Sequence, residues 1–457
     1  MHIEDRPVAG RMLSASSRST GRCRGEPRTT ANILAIRNLK VEVEQPMADQ
    51  HSSSDRIVVI SADTHGGAEL HAYKEYLPKQ WHEQFDAWAV AYASPWDDLV
   101  NDTKFKNWDS DLRIQHLETD GIAAEVLIPN TIPPFFPTIQ NIVSLPTTRP
   151  EYERRMAGLR AHNRWAEQFC KNVPGRRRAL FQIFPNDVDD AIVEVEWAAR
   201  TGVAAGVLMP GIPPNHPAGA LYDSRLDRLW ERCAALDLPV CQHEGTGIPD
   251  YPDHPASAGI SSYEQSYFGQ RSLWTLILGG VFERHPNLKY AFIEQGVNWI
   301  PQALDRLDNT IASAKKRPWA DMFFRGAYEP LSMTAWEYWK RNCYIAHPLR
   351  PVEVPDFANL GVDHIMWGSD YPHTDATSPY SREAMRLTLA DVDETDVRKL
   401  LGGNAAKIFG FDIEALQSVA DRVGPTFAEI RRPLARADYP DAEWFEIRAE
   451  VRSTVLG

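Results

Sequence analysis

The sequence predicts an α/β chain whose main body is a (β/α)8 barrel. Three observations predict it. Eight short apolar or β-branched runs recur between Arg56 and Pro372. Most are followed by a stretch of helical period, and near-continuous apolar strands alternating with helices mean a parallel sheet. Neither GxGxxG nor GxxxxGK[ST] occurs, which removes the fingerprint that an open doubly wound sheet, the main rival, would carry. One barrel absorbs most of the length.

In chain order the runs are Val58–His65, Ala123–Asn130, Arg178–Pro185, Ala204–Gly211, Leu238–Gly245, Leu288–Gly296, Arg341–Pro348 and His364–Pro372. Helical patterns follow over Val188–Arg200, Asp223–Leu236, Trp299–Ala314 and Arg382–Leu389. Asn186 and Asn298 stand where N-caps are expected, and Asn404 is read as the cap of a last helix that Gly410 stops. Two connections are long. Gly66–Asp120 follows the first strand and carries Trp81, Trp88, Trp96 and Trp108; Thr246–Gln270 follows the fifth and carries Tyr251, Tyr263, Tyr267 and Phe268. Both leave the carboxyl end of a strand, the face where barrel enzymes keep their sites.

The flanking segments differ from this core. Residues 1–50 are rich in Arg and Ser and read as a disordered tail or a misplaced start, with Met47 as the alternative first residue. Acidic residues within them, among them Glu4, Asp5 and Glu26, argue against a transit peptide. Residues 51–412 are expected to be the barrel domain and 413–457 a charged, partly helical extension that packs on it or on a second subunit. The net charge of −13 disfavours nucleic acid as a partner, and no apolar run is long enough for a membrane span. The five cysteines are scattered and form no CxxC, so a reducing cytoplasm is expected.

Polar residues gather at the strand ends. The first strand ends Ser61-Ala62-Asp63-Thr64-His65, the fifth Gln242-His243-Glu244, the sixth Ile293-Glu294 and the eighth Gly368-Ser369-Asp370. Asp63 and His65 are two apart, so both point to one face, here the barrel interior. Carboxylate and imidazole donors without thiolates suit Zn²⁺, Mn²⁺ or Fe²⁺. Each residue also has a structural reading: His243 as a satisfied histidine, Glu294 as an arginine partner, Asp370 as an N-cap. Their convergence on one barrel mouth is what a site predicts.

These stretches, together with Asp120-Gly121-Ile122-Ala123-Ala124-Glu125, Gly280-Val281-Phe282-Glu283-Arg284-His285-Pro286 and Trp367-Gly368-Ser369-Asp370-Tyr371-Pro372-His373, resemble the amidohydrolase-related branch of the metal-dependent amidohydrolase superfamily. That branch includes aminocarboxymuconate-semialdehyde and dihydroxybenzoate decarboxylases. The resemblance implies a barrel of the metal-dependent hydrolase type with one divalent metal, zinc first and manganese or iron as alternatives. Its ligands would be Asp63, His65, His243 and Asp370. There are two departures. The first motif is DxH where many members have HxH. Glu294-Gln295-Gly296 stands where many carry His-Gly, so acid–base work passes to Glu294 or Glu294 becomes a further ligand.

The function expected is metal-dependent non-oxidative decarboxylation of a small aromatic or unsaturated acid, with Asp370, Glu294 and His243 as the catalytic set. The alternative is hydrolysis of an amide, ester or C–C bond in a similar acid. A homodimer in the cytoplasm is expected. Arg113 and Arg271 are candidates for gripping a substrate carboxylate, by lying within or at the ends of the long connections.

Overall fold

The computed structural model describes residues 55–92, 102–130, 133–137, 145–317, 322 and 326–448. The tail, including Met47, and Trp96 of the first long connection lie outside them. Eight parallel strands follow chain order around one sheet: β1 (Ile60–Gly66), β2 (Ala124–Pro129), β3 (Arg177–Gln182), β4 (Ala204–Leu208), β5 (Val240–His243), β6 (Tyr290–Ile293), β7 (Cys343–His347) and β8 (Ile365–Trp367). The ends meet just beyond β8. Asp370 N donates to Asp63 O at 2.9 Å and His65 N to Tyr371 O at 2.6 Å, so the barrel is closed by the residues that carry the polar motif.

Alternation sorts the strands into two packed layers. Ile60, Val126, Leu180, Leu208, Cys241, Ile293, Ala346 and Met366 fill the interior, with Phe409 and Phe411 in the same cluster. Val59, Leu127, Phe181, Val207, Val240, Phe292, Ile345 and Trp367 face outward into the larger core shared with the helices. The α-helices of six or more residues among those described are α1 (His82–Ala91), α2 (Ser110–Thr119), α3 (Arg149–Lys171), α4 (Val188–Arg200), α5 (Asp227–Ala235), α6 (Ser257–Leu278), α7 (Trp299–Lys316), α8 (Ala335–Asn342), α9 (Val354–Leu360), α10 (Ser381–Leu389), α11 (Asn404–Phe409) and α12 (Ile413–Val423).

Several local readings need correction. The cap of α4 is Asp187, whose carboxylate accepts from Asp189 N and Asp190 N; Asn186 instead donates to Pro146 O at 2.8 Å. Asn298 occupies the N-cap position of α7, as expected, but its side chain makes no cap bond. Asn404 is the first residue inside α11, and its amide donates to Val362 O and Ile365 O, both at 2.7 Å, tying the helix to the start of β8. Gly410 ends α11 at φ 75°, as expected. The second long connection is shorter than its composition suggested, because α6 begins at Ser257. Its aromatic residues Tyr263, Tyr267 and Trp274 recur at helical spacing. The first long connection is likewise built from short 3-10 turns, α1 and α2. Beyond the barrel, α12 buries Leu416 and Ala420, and Arg56 pairs with Thr426 in an antiparallel bridge.

Candidate metal centre at the barrel mouth

Simple alternation along β1 would turn the candidate ligands the wrong way. Val58, Ile60 and Ala62 point inward and Ile57 and Val59 outward, which puts Asp63 and His65 outside. The register against β2 shifts between Ser61 and Thr64, where Ser61 pairs with Glu125 and Thr64 with Leu127. This bulge adds one residue and reverses the phase, so Asp63 and His65 enter the interior. Ser61 holds the bulge: its hydroxyl donates to Asp63 O at 2.9 Å and accepts from Ser369 N at 2.8 Å.

Glu294 and Asp370 are re-aimed differently. Glu294 comes directly after inward-facing Ile293 at the end of β6, Asp370 three residues after the end of β8, and each adopts a left-handed backbone, φ 61° and 62°. Such a conformation is unfavourable for a non-glycine residue and clusters at functional sites. His243 needs no device, since it lies two residues beyond inward-facing Cys241.

The side chains meet around His65. Its Nε2 lies 3.4 Å from Asp63 Oδ1, 3.3 Å from Asp370 Oδ1 and 3.3 Å from His243 Nε2. His243 Nε2 is also 4.0 Å from Asp63 Oδ1 and 2.9 Å from Glu294 Oε2. The outer nitrogens are tied to carbonyl oxygens: His65 Nδ1 is 3.3 Å from Pro129 O, and His243 Nδ1 is 3.0 Å from Glu244 O. Outer contacts of that kind turn the inner nitrogens toward an ion. Three overlapping groups could hold a metal: Asp63, His65 and His243; His65, Asp370 and His373; and Asp63, Glu294 and Asp370.

Sequence reasoning missed one member, His373. Its Nδ1 lies 3.0 Å from Asp370 Oδ1 and its ring stacks on His65 at 4.1 Å and 23°. Stacked rings lie in separate parallel planes, and a ligand nitrogen points its lone pair in the plane of its ring. One ion is therefore met squarely by only one of the two rings, and His65, which also reaches Asp63 and His243, is the better placed. Behind it, His373 Nε2 is 3.3 Å from Asn130 Oδ1, and Asn130 Nδ2 donates to Asn107 Oδ1 at 2.7 Å. The signal was present, since His373 follows Asp370 by three residues in a stretch that already stood out.

The electrostatics fit a cation. Both oxygens of Asp63 and Oδ1 of Asp370 are buried without a hydrogen bond of acceptable geometry. Burial raises the Asp63 carboxyl above its ordinary range. Burial also pushes Asp370 upward, but His373 and His65 outweigh it and hold that carboxyl well below the usual range. Glu294 is opposed by burial and by Asp370, yet His243 keeps it lowered. Burial disfavours the His243 imidazolium, but Glu294 and Asp63 overcome it and push the group up to about 9. Three carboxylates and two imidazoles in a buried mouth are a strong oxygen and nitrogen donor set for one divalent ion.

Arg113 is not available to a substrate. It is fully buried outside the barrel wall, where it donates to Glu125 and to His65 O. Arg177 reaches the same carboxylate at 2.6 Å. Arg271 is half-buried within α6.

The family model described as amidohydrolase matches residues 102–411. The chain belongs to the amidohydrolase family. No curated protein matches the sequence. Among solved structures the chain is similar to an amidohydrolase from Mycobacterium avium subsp. paratuberculosis K-10, at 20% identity and TM-score 0.59, covering 78% of this chain and 99% of that one. It is similar to 5-carboxyvanillate decarboxylase from Sphingomonas paucimobilis, at 20% identity and TM-score 0.57, covering 78% and 100%. A third is 5-carboxyvanillate decarboxylase from Novosphingobium aromaticivorans DSM 12444, complexed with manganese and 4-hydroxy-3-methoxy-5-nitrobenzoic acid, at 19% identity and TM-score 0.57, covering 78% and 96%. These likenesses show the barrel fold.

Proposed function

We propose that this amidohydrolase is a metal-dependent, non-oxidative decarboxylase of a small aromatic or unsaturated acid. The observation that carries the reading is the convergence of Asp63, His65, His243 and Asp370 on one barrel mouth, with buried carboxylate oxygens that make no hydrogen bond of acceptable geometry. These four would hold one divalent ion. Zinc, manganese and iron(II) all suit the donors, and the manganese of the Novosphingobium relative supports the harder choice. When bound, the ion supplies a positive charge that stabilises a substrate anion.

The chain's own groups then orient the substrate and move a proton. Loss of CO2 leaves a carbanion that must be protonated. Asp370 stands at the mouth with the His373 imidazole 3.0 Å away, so the carboxylate and the imidazole together are placed to pass that proton. Glu294, 2.9 Å from His243 Nε2, lies in one close group with the Asp63 and Asp370 carboxylates, as a further ligand or as the second acid–base group. The decarboxylases among the structural relatives support the reaction class.

The family match itself favours a second reading, hydrolysis of an amide, ester or C–C bond in a similar acid. One experiment separates the two. Purified protein is analysed for metal and screened against aromatic acids for CO2 release, and against their amides and esters for the free acid. CO2 release that needs the metal supports decarboxylation. Free acid without CO2 supports hydrolysis. Protein that neither holds nor responds to a divalent ion sinks both readings.

The partner expected is a second copy of the chain. The amino-terminal half of α6 supports this, because Ile260, Tyr263 and Tyr267 stand exposed on it. Cys170, Cys233, Cys241 and Cys343 are free and buried, which supports a cytoplasmic location. No helix among the described residues is long and apolar enough to cross a membrane. We retain 51–412 as the barrel domain and 413–457 as its helical extension.

A further inference from the structure

Behind His373 runs a chain of three hydrogen bonds whose direction is fixed at its far end. Asn107 closes the 3-10 turn Asp102–Asn107, and its Nδ2 lies 3.0 Å from Lys104 O. A main-chain carbonyl only accepts, so the Asn107 amide turns its NH2 to Lys104 and its oxygen away. That oxygen is 2.7 Å from the Asn130 side chain, which therefore presents its own NH2 there. The Asn130 oxygen is then the atom that faces His373 Nε2, at 3.3 Å, and an oxygen facing a ring nitrogen requires a hydrogen on that nitrogen. Turning Asn107 over would set its oxygen against Lys104 O. Turning Asn130 over would set two amide oxygens together.

The chain is also held in place. Asn107 is fully buried and its main-chain carbonyl accepts from Gly67 N at 3.3 Å, while Asn130 N donates to Gly66 O at 2.9 Å. Both residues are thus tied to the end of β1, next to His65. The other ring nitrogen of His373, Nδ1, lies 3.0 Å from Asp370 Oδ1, within reach for proton transfer. Apolar side chains of similar size would pack the same space. Two amides in a fixed order do what packing does not, which is to choose the nitrogen of the imidazole that carries hydrogen.

We propose that Asn130, oriented by Asn107, is a positioning residue that keeps hydrogen on His373 Nε2 and so reserves Nδ1 for proton exchange with Asp370. A proton then passes between Nδ1 and Asp370 Oδ1, and Nε2 keeps its own hydrogen throughout. The inference rests on the proton-passing role given above to Asp370 and His373. It also gives the first long connection a task at the mouth, since the turn that supplies Asn107 belongs to it.

The test uses full-length protein loaded with Zn²⁺, which is diamagnetic, as wild type, Asn130→Leu and Asn130→Asp. NMR of ¹⁵N-labelled histidine reports which ring nitrogens carry hydrogen, and His373→Gln identifies the His373 signals by their loss. In wild type His373 Nε2 should carry hydrogen, and a bare Nε2 overturns the proposal. The aromatic acid that releases CO2 in the screen above gives kcat and KM. Asn130→Leu should keep its ion and a KM within about threefold of wild type, while kcat falls about 10–100-fold. Asn130→Asp keeps an oxygen facing Nε2, so it should recover most of that loss. Equal loss in both variants overturns the proposal, because the side chain would then serve packing. An unchanged kcat in Asn130→Leu, or loss of the ion, overturns it too. Should Asn130→Leu fail to fold, Asn130→Ala takes its place, and the NMR of wild type needs neither variant. That readout also needs no substrate. Hydrogen on Nε2 in a protein that releases no CO2 sinks the decarboxylase reading and leaves the tautomer assigned. CO2 release with a bare Nε2 sinks this inference alone.

Discussion

A Cβ built on Gly368 would lie 2.4 Å from Cβ of Asp63. The end of β8 therefore presses its bare backbone against the residue that the β1 bulge turns inward. Gly368→Ala would force Asp63 or the bulge to move by about an ångström, since ordinary carbon contacts are about 3.5–4.0 Å. We expect a folded protein destabilised by about 1–3 kcal/mol, the usual size of overpacking, with metal affinity lowered at least about 10-fold. Thermal melts and metal titration check it. Unchanged metal affinity would show that Asp63 is not held in place by this contact.

His373 and His243 should respond differently to truncation. His243→Ala removes a nitrogen aimed into the carboxylate cluster and should leave a folded protein with little metal. His373→Ala removes a ring stacked on His65 and bonded toward Asn130, so at saturating metal it should keep one ion per chain. Turnover should fall by about 10–100-fold, the usual effect of losing an outer partner. Metal stoichiometry measured beside turnover separates them. Loss of the ion in His373→Ala would make His373 a ligand and require the stacking argument to be abandoned.

Most of the fold was legible in the sequence because it is written in repeated pattern. Apolar runs and helical periods reflect layers that many residues share. The devices that aim the site were not. The β1 bulge depends on how Ser61 and Thr64 pair with β2, which no local pattern encodes, and β1 read as a regular strand gives the right residues for an incomplete reason. The left-handed backbones at Glu294 and Asp370 are held by neighbours, such as the Glu294 N bond to Ala346 O, against local preference. Asp187 and Asn186 are both good caps, and only the bond from Asn186 to Pro146 decides between them.

Acid stability should report on Glu125. Burial raises its carboxyl, but Arg113 and Arg177 outweigh it and hold it at about 2, against an ordinary value near 4.5. A depressed folded-state pKa means that this contribution is complete above about pH 4.5 and is lost as pH falls toward about 2. The difference corresponds to about 3 kcal/mol. Glu125→Gln should destabilise the protein by about 3–5 kcal/mol near neutral pH, because it leaves two buried guanidinium groups against a neutral amide. It should also flatten the stability curve between pH 4.5 and 2. Denaturant melts across pH check both. A variant as stable as wild type at pH 7 would show that the triad is not needed for the wall.

Glu294 is the residue that sets this chain apart at the mouth, and Glu294→Gln is the change that assigns its role. Glutamine keeps the size and one acceptor oxygen but removes the charge. The carboxylate now lies 2.9 Å from His243 Nε2 and, with Asp63, pushes that imidazole up to about 9. Its left-handed backbone, φ 61°, would not be released by the substitution, so the side chain should still enter the mouth. If Glu294 is a ligand, metal affinity should fall, since an amide oxygen is a weaker donor for a divalent ion than a carboxylate. If it is an acid–base group, the ion should stay and turnover should fall by about 10²-fold or more. We expect the first outcome. The Glu294 carboxylate falls in one metal-binding group with Asp63 and Asp370, and a cation beside it favours its charged form. Metal titration and single-turnover assays on the same preparation decide the matter. Normal metal affinity together with normal turnover would remove Glu294 from the site altogether.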